Sequence, residues 1–122
     1  MLKKKKNKFE NLNYLELTPI SNYTFEKREN GLVNVLVPRF TDKFFGKYLQ
    51  PRLKNKYIKA NLDEIGTATW LLINGNNKVY HIANGLAEQF GEKIQPVNER
   101  LTKFLTQLYQ AGFITFAELK KG

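Results

Sequence analysis

The sequence predicts an α+β protein in which a small three-stranded antiparallel sheet packs on a three-helix bundle, in a winged-helix-like arrangement. Three observations predict this fold: an Asn30-Gly31 pair between two strand-forming segments, an alternating segment over 57–62, and three later segments with apolar residues at helical spacing. A chain of 122 residues that is 42% hydrophobic has the size of one domain. We expect that domain over 22–119, preceded by a basic, partly disordered lead-in over 1–21.

The first two strands are predicted from the Asn30-Gly31 pair and the segments that flank it. A two-residue type I′ turn needs positive φ at both central positions, and Asn and Gly tolerate that conformation. Such a loop would set Phe25 opposite Leu36. Pro38 has no N–H to donate, so it is expected to end the second strand.

The segment after this hairpin, over about 39–56, is expected to form a basic helical insert. Its aromatic and aliphatic residues recur at helical spacing, and Pro51 would stop the helix. The third strand follows, because apolar Ile58 and Ala60 alternate with more polar neighbours. Lys59 is expected to face outward from that strand.

Three helices are predicted after the third strand. Asn61 and Glu64 have the spacing of an N-terminal cap with a reciprocal acid, and Asn74-Gly75 would close the first helix. The second helix would end at Gly91, which can adopt the left-handed conformation of a helix cap. Pro96 suits the first turn of the third helix.

The third helix carries its apolar residues along one face. Its predicted core positions are Val97, Leu101, Phe104, Leu108 and Ala111. Leu105 and Tyr109 extend the apolar surface to one side, beside Thr102. The Gly112-Phe113 pair fits a Schellman-type end, and a short last strand is expected after it.

The composition excludes several classes of chemistry. The chain has no cysteine, so it has no disulfide framework, no thiolate metal site and no thiol nucleophile. The single histidine, His81, lacks the partner that a catalytic or metal-binding histidine needs. We therefore expect no enzyme activity, no catalytic residue, no metal and no cofactor.

The net charge of +9 is concentrated in two segments. Residues 3–8 carry five lysines, and residues 39–59 carry seven basic residues against one aspartate, so the rest of the chain sums to −2. No continuous apolar run follows the lysines as it would in a secretory signal, which predicts a cytoplasmic protein. The lysine run is either a solvated terminus or a contact for a polyanion or a membrane surface.

The second half of the chain carries a recognisable pattern of hydrophobic and glycine positions. Its main motifs are Leu62-Asp63-Glu64-Ile65-Gly66-Thr67-Ala68-Thr69-Trp70, Leu86-Ala87-Glu88-Gln89-Phe90-Gly91 and Arg100-Leu101-Thr102-Lys103-Phe104-Leu105. Over roughly residues 57–116 this pattern resembles the coenzyme PQQ synthesis protein D (PqqD) family. The chain departs from the family in having Asn74-Gly75 where Asp-Gly is common, and in its longer basic insert and lead-in.

The resemblance implies a recognition domain without catalytic activity. PqqD-like domains hold the leader of a ribosomally made precursor peptide and present it to a modifying enzyme. In such domains the leader adds as a strand to the third strand, in a groove that the third helix closes. The resemblance thus places the site at residues 57–61 and on the third helix over 97–110, where the apolar flank would form the groove wall. The expected peptide-binding residues are Tyr57, Ile58, Lys59, Ala60, Asn61, Thr102, Leu105 and Tyr109. An exposed sheet edge also suits this role physically, because its unpaired N–H and C=O groups can bond an extended peptide.

Other interpretations stay open at this point. Leu105 and Tyr109 would either line the groove or cover the lead-in or the insert. Lys59 would either attract an acidic leader or, as base rates favour, be a solvated residue that discourages edge aggregation. Nucleic-acid binding is the alternative function, with Arg100 or Lys103 on the third helix. The short insert helix disfavours a peripheral membrane contact. A homodimer through paired third strands is compatible with the same open edge.

Overall fold

The computed structural model describes residues 13–38 and 57–120, and it confirms the α+β class with an antiparallel sheet of three strands. The chain divides into two compact units, Tyr23–Thr67 and the residues on either side of it, and we describe each by itself. The single domain over 22–119 and the winged-helix-like arrangement stay predictions. The lysine run and the predicted insert helix lie outside the described residues.

Five strands and four α-helices are present in the described residues. In chain order they are β1 Pro19–Ser21, β2 Phe25–Lys27, β3 Val33–Pro38, β4 Tyr57–Asn61, α1 Glu64–Leu72, α2 Val79–Phe90, α3 Val97–Gln110, β5 Ile114–Phe116 and α4 Ala117–Lys120. Short 3-10 turns cover Tyr14–Glu16 and Gly91–Ile94. One antiparallel sheet has the order β2-β3-β4, and β1 pairs with β5 in a second.

The hairpin between β2 and β3 forms as predicted, but its loop and register differ from the prediction. The Gly31 N–H donates to the Arg28 carbonyl (2.9 Å), and Gly31 alone in this loop has positive φ (+87°). This is a type I turn followed by a glycine bulge, in a loop of three residues. The extra loop residue sets Phe25 opposite Val35 instead of Leu36. A slip of one residue moves side chains to the other face of a sheet.

The predicted cap of the first helix is wrong by two residues. The Asp63 carboxylate accepts the Gly66 N–H (2.8 Å), whereas Asn61 is the last residue of β4. A capping side chain must lie directly before the first helical turn to reach its free N–H groups. The end of the third helix is confirmed, because the Phe113 N–H donates to the Leu108 carbonyl (2.9 Å), the long bond of a Schellman motif.

In the other unit, residues 13–22 are an integral part of the fold formed with residues 68–120. β1 pairs with β5 with Ile20 opposite Thr115, and the Val79 N–H at the start of α2 donates to the Leu17 carbonyl (2.8 Å). The largest fully buried side chains of this unit include Phe116, Leu17, Ile82, Leu86, Leu105 and Ile114. The later part of the lead-in therefore contributes a strand and a core residue.

A buried threonine holds this segment to the last helix. Both the N–H and the hydroxyl of Thr18 donate to the Glu118 carboxylate, at 2.8 and 2.9 Å. Partial burial acts to raise the pKa of Glu118, but the two hydrogen bonds from Thr18 outweigh it and hold the pKa below its ordinary value. The carboxylate is thus stabilised in its ionised form by the fold itself.

Replacing Thr18 with Val is expected to lower the free energy of unfolding by about 1 kcal/mol, because the side chain keeps its shape and loses one charge-assisted hydrogen bond. Urea unfolding measures this change. Glu88→Gln, on the exposed side of α2, is the control and should leave the free energy of unfolding close to that of the wild type. Equal stability of Thr18→Val and the wild type would contradict the role of this bond.

The same contact predicts a pH dependence. Glu118 has a lower pKa folded than unfolded, so its contribution to stability is fully present above the unfolded pKa and is lost as the pH falls through the folded pKa. Urea unfolding measured from neutral to acidic pH should show this loss. The slope should be smaller in Glu118→Gln, and an unchanged slope would contradict the prediction.

Candidate functional site

β4 is an edge strand of the described sheet. It pairs with β3, and no other strand within residues 13–38 and 57–120 pairs with it. Tyr57 and Ile58 are 43% and 53% exposed, and the Lys59 side chain is 55% exposed. In contrast, Val33 and Val35 on the neighbouring strand β3 have no exposed surface. β4 is therefore the accessible member of this strand pair.

The hydrogen-bond pattern decides which backbone groups of β4 point away from β3. The Leu62 N–H, just past the end of β4, donates to the Val33 carbonyl (2.9 Å). In an antiparallel ladder, alternate residues direct both their N–H and their C=O toward the same neighbour. The even-numbered residues of β4 therefore face β3. The backbone groups of Tyr57, Lys59 and Asn61 face the open edge.

One face of this sheet carries two apolar rows that reach the β4 edge. Phe25, Val35 and Ala60 lie directly opposite one another in a row across the three strands, and Val37 lies opposite Ile58 in a second row. Both rows reach the edge at a β4 side chain. The outer members of the rows stay accessible, since Phe25 is 41% exposed at the β2 end.

The opposite face carries a polar network that connects all three strands. The Lys59 Nζ lies 3.0 Å from the Glu26 Oε2, and the Asn34 amide donates to the same oxygen (3.1 Å). Arg28 in turn donates to the side-chain amide oxygen of Asn34 and to the backbone carbonyl of Leu62. Lys59 therefore lies on the solvated face, where its ammonium group already has an acidic partner.

These contacts lower the pKa of Glu26. The hydrogen bond from Asn34 is the main cause, and the hydrogen bond and charge of Lys59 act in the same direction against a small opposing effect of desolvation. Sequence reasoning did not identify Glu26. Its carboxylate on β2 reaches Lys59 on β4 across the intervening strand β3, and the two residues are far apart in the chain. The corrected hairpin register is what places the two side chains on one face.

Removing the ammonium group in Lys59→Met is expected to raise the pKa of the Glu26 carboxyl toward its ordinary value, leaving the part of the shift that Asn34 causes. A carbon-detected NMR titration of the Glu26 side chain measures this pKa directly. Lys27→Met removes an equally exposed charge from β2 and is the matched control. A shift in the control as large as that in Lys59→Met would contradict a specific pair.

The three site residues predicted on α3 lie in the other unit, together with the lead-in. The Tyr14 hydroxyl is 3.0 Å from the Thr106 Oγ1 and donates to the Thr102 carbonyl (3.5 Å). Both Tyr14 and Tyr109 pack against the Phe116 ring, with ring centres 5.7 and 5.5 Å away. The lead-in thus contacts α3 at Thr102 and Thr106, while Tyr109 packs on β5.

The predicted core arc of α3 needs correction. Leu105 has no exposed surface, whereas the predicted core residues Val97 and Phe104 are only half-buried and Ala111, just past the helix end, is exposed. Helical periodicity alone could not distinguish the buried Leu105 from a surface flank. A peptide contact by Thr102, Leu105 and Tyr109 stays a prediction.

Tyr14 is the lead-in residue that sequence reasoning missed. Burial raises the pKa of its phenol, and the hydrogen bond with Thr106 opposes that effect. Tyr14 lies after the lysine run, close to Leu15 and Leu17, and this local pattern does not identify a partner on a helix about ninety residues later in the chain. Its position follows from the pairing of β1 with β5.

Two of the remaining polar candidates, His81 and Arg100, have structural partners. The His81 Nδ1 accepts the Lys78 N–H (3.0 Å) at the start of α2, and Arg100 donates to the Lys93 carbonyl (2.6 Å). No cluster of three or more His, Cys, Asp or Glu suited to a metal ion occurs in the described residues. None of the helices in that part of the chain has the length and apolar character needed to cross a membrane.

The geometry defines a small α+β protein with an accessible strand edge bordered by one apolar and one polar face. The model of the family coenzyme PQQ synthesis protein D (PqqD) matches residues 52–114, and the chain belongs to this family. This confirms the resemblance found in the sequence. PqqD proteins are non-catalytic accessory proteins that bind a precursor peptide and a partner enzyme. Neither the curated proteins nor the solved structures include a match to this chain.

Proposed function

We propose that this protein captures an extended precursor peptide by strand addition at the open edge of β4 and presents it to a modifying enzyme. One observation carries the proposal: β4 has one strand neighbour in the described residues, and the backbone groups of Tyr57, Lys59 and Asn61 point to its other side. A peptide strand can take up those groups through main-chain hydrogen bonds. Membership of the PqqD family supports a peptide as the ligand.

The chemistry of the edge favours a peptide over nucleic acid. Every second residue of β4 directs its backbone N–H and C=O to the edge. This two-residue repeat matches that of the N–H and C=O groups along an extended polypeptide. Lys59, the basic side chain at this edge, is already paired with Glu26. Arg100, a residue that the nucleic-acid alternative would use, donates to a backbone carbonyl. These contacts leave the backbone of β4 as the main recognition element.

A proline at position 59 tests strand addition directly. The Lys59 N–H faces the open edge, so Lys59→Pro removes an edge donor and places a ring in the path of the peptide without removing a bond to β3. Peptides are first selected on the wild-type protein from a display library of random linear sequences. We expect Lys59→Pro to weaken the binding of a selected peptide about tenfold or more, as measured by calorimetry.

Lys59→Thr is the matched control, because it removes the same charge and keeps the backbone N–H and a strand-forming residue. It should retain most of the affinity, and the amide NMR signals of β2 and β3 should show that both variants stay folded. Equal binding by Lys59→Pro and Lys59→Thr would overturn strand addition. Failure to select any peptide that depends on this edge would do so as well.

The predicted residues on α3 are tested in the same titration. A selected peptide should shift the backbone amides of Tyr57, Lys59 and Asn61 in the wild-type protein. Shifts at Thr102 and Tyr109 would add the α3 flank to the site. Shifts limited to β4 would confine the site to the strand edge and would show that Thr102 and Tyr109 do not contact the peptide.

Presentation to an enzyme requires a catalytic readout. A short precursor gene and a gene for a radical-type modifying enzyme beside the gene for this protein would supply the two components of the assay, the precursor peptide and the enzyme. The wild-type protein should accelerate modification of the precursor, and Lys59→Pro should lose that effect while Lys59→Thr keeps it. Equal rates with and without the protein would contradict the presentation step.

A further inference from the structure

We propose that the peptide taken up by β4 alternates apolar and acidic side chains: apolar residues beside Ile58 and Ala60, and an acidic residue between them beside Lys59. This inference rests on the proposed strand addition and specifies its ligand. It follows from the two faces of the sheet, because a strand added to an edge continues the faces of the strand it joins. Its side chains therefore meet those of β4 position by position.

The apolar positions follow from the two rows that end at β4. A peptide side chain beside Ala60 would extend the row of Phe25, Val35 and Ala60, and one beside Ile58 would extend the row of Val37 and Ile58. Ile58 leaves 53% of its surface exposed, which an apolar neighbour would cover. Ala60 is small and leaves room for a larger side chain next to it.

If the peptide adds antiparallel to β4, the side chains beside Ile58 and Ala60 would also lie closer to their β4 partners than the side chain beside Lys59 would. Ile58 and Ala60 direct their backbone groups to β3, so they would form non-hydrogen-bonded pairs with the peptide. Such pairs have the shorter Cα separation of about 4.5 Å. Side-chain packing there would contribute more than at Lys59, whose backbone would exchange hydrogen bonds with the peptide.

The acidic position follows from the charge of Lys59. Its Nζ has three donors and contacts one carboxylate, that of Glu26, at 3.0 Å, while over half of its side chain stays exposed. A peptide residue directly opposite would have its Cβ about 5 Å from that of Lys59. The net charge of +9 for the whole chain favours an anionic peptide over a cationic one.

Glu26 does not reverse this preference, although it lies on the same face. Its backbone belongs to β2, which is two strands from β4 and three from the added peptide, about 14 Å at the usual spacing of strands. Its carboxylate is held there by Asn34 and by the Lys59 ammonium group, which lies 3.0 Å away. Lys59 is attached to β4 itself, so its long side chain can turn toward an acidic residue of the added strand, whereas Glu26 stays two strands away.

Three blocked synthetic peptides test the pattern: Ser-Thr-Val-Glu-Val-Thr-Ser, the same sequence with Lys in place of Glu, and a shuffled sequence with the two Val adjacent. The first should bind about threefold to tenfold more tightly than either of the others at low salt. Added salt should reduce its advantage over the Lys peptide, which depends on charge, and leave its advantage over the shuffled peptide.

Two variants assign the two kinds of contact. Glu26→Gln frees Lys59 from its partner and should increase the preference for Glu over Lys in the peptide. Ile58→Thr keeps a β-branched residue and should remove about threefold of the affinity for the alternating peptide. Neither change removes a backbone group from the open edge, so both variants should still bind peptides selected from the random library.

The outcomes separate this inference from the proposed function. Equal binding of the three synthetic peptides, or selected peptides that depend on the β4 edge but share no such alternation, would overturn the inference and leave strand addition standing. Selected peptides that bind Lys59→Pro and Lys59→Thr equally would overturn both. A preference for the Lys peptide would show that Lys59 does not determine the charge of the ligand.

Discussion

The backbone of a β-strand carries hydrogen-bonding groups toward both of its neighbours, and in the described sheet β3 takes up those of β4 on one side. The groups on the other side have to be satisfied by water or by an added strand, because a buried, unpaired backbone group costs more than its hydrogen bond contributes. The exposure of Tyr57, Ile58 and Lys59 is consistent with this constraint. The recognition chemistry proposed for this protein depends on it.

An edge of this kind is also a risk, since it can pair with any extended chain. The Glu26–Lys59 pair and the Asn34 bond connect the outer strands through β3 and place charge at the edge. Arg28 extends the network to the backbone just past β4 through the Leu62 carbonyl. The network thus ties the outer strands to β3 and places a charge at the edge, and charge at an edge strand discourages unspecific pairing.

In the unit that contains α2 and α3, the later part of the lead-in is a structural element of the fold. The lysines of the lead-in lie outside the described residues, but residues 13–22 supply a strand, the buried Leu17 and the Thr18 contact to Glu118. Tyr14 contacts α3 on the flank that the sequence analysis had considered for a peptide. Packing within the chain therefore involves part of this helix flank, at Thr102, Thr106 and Tyr109.

Local patterns in the sequence were enough to predict the α+β class, the hairpin, β4 and the helices, because turn residues, residue alternation and helical periodicity act over short stretches of chain. They also carried the family resemblance. The hairpin register, the pairing of β1 with β5, the Glu26–Lys59 pair and the burial of Leu105 became known from the folded structure. Each of these depends on which distant segments meet, and a local pattern contains no information about its partner across the fold.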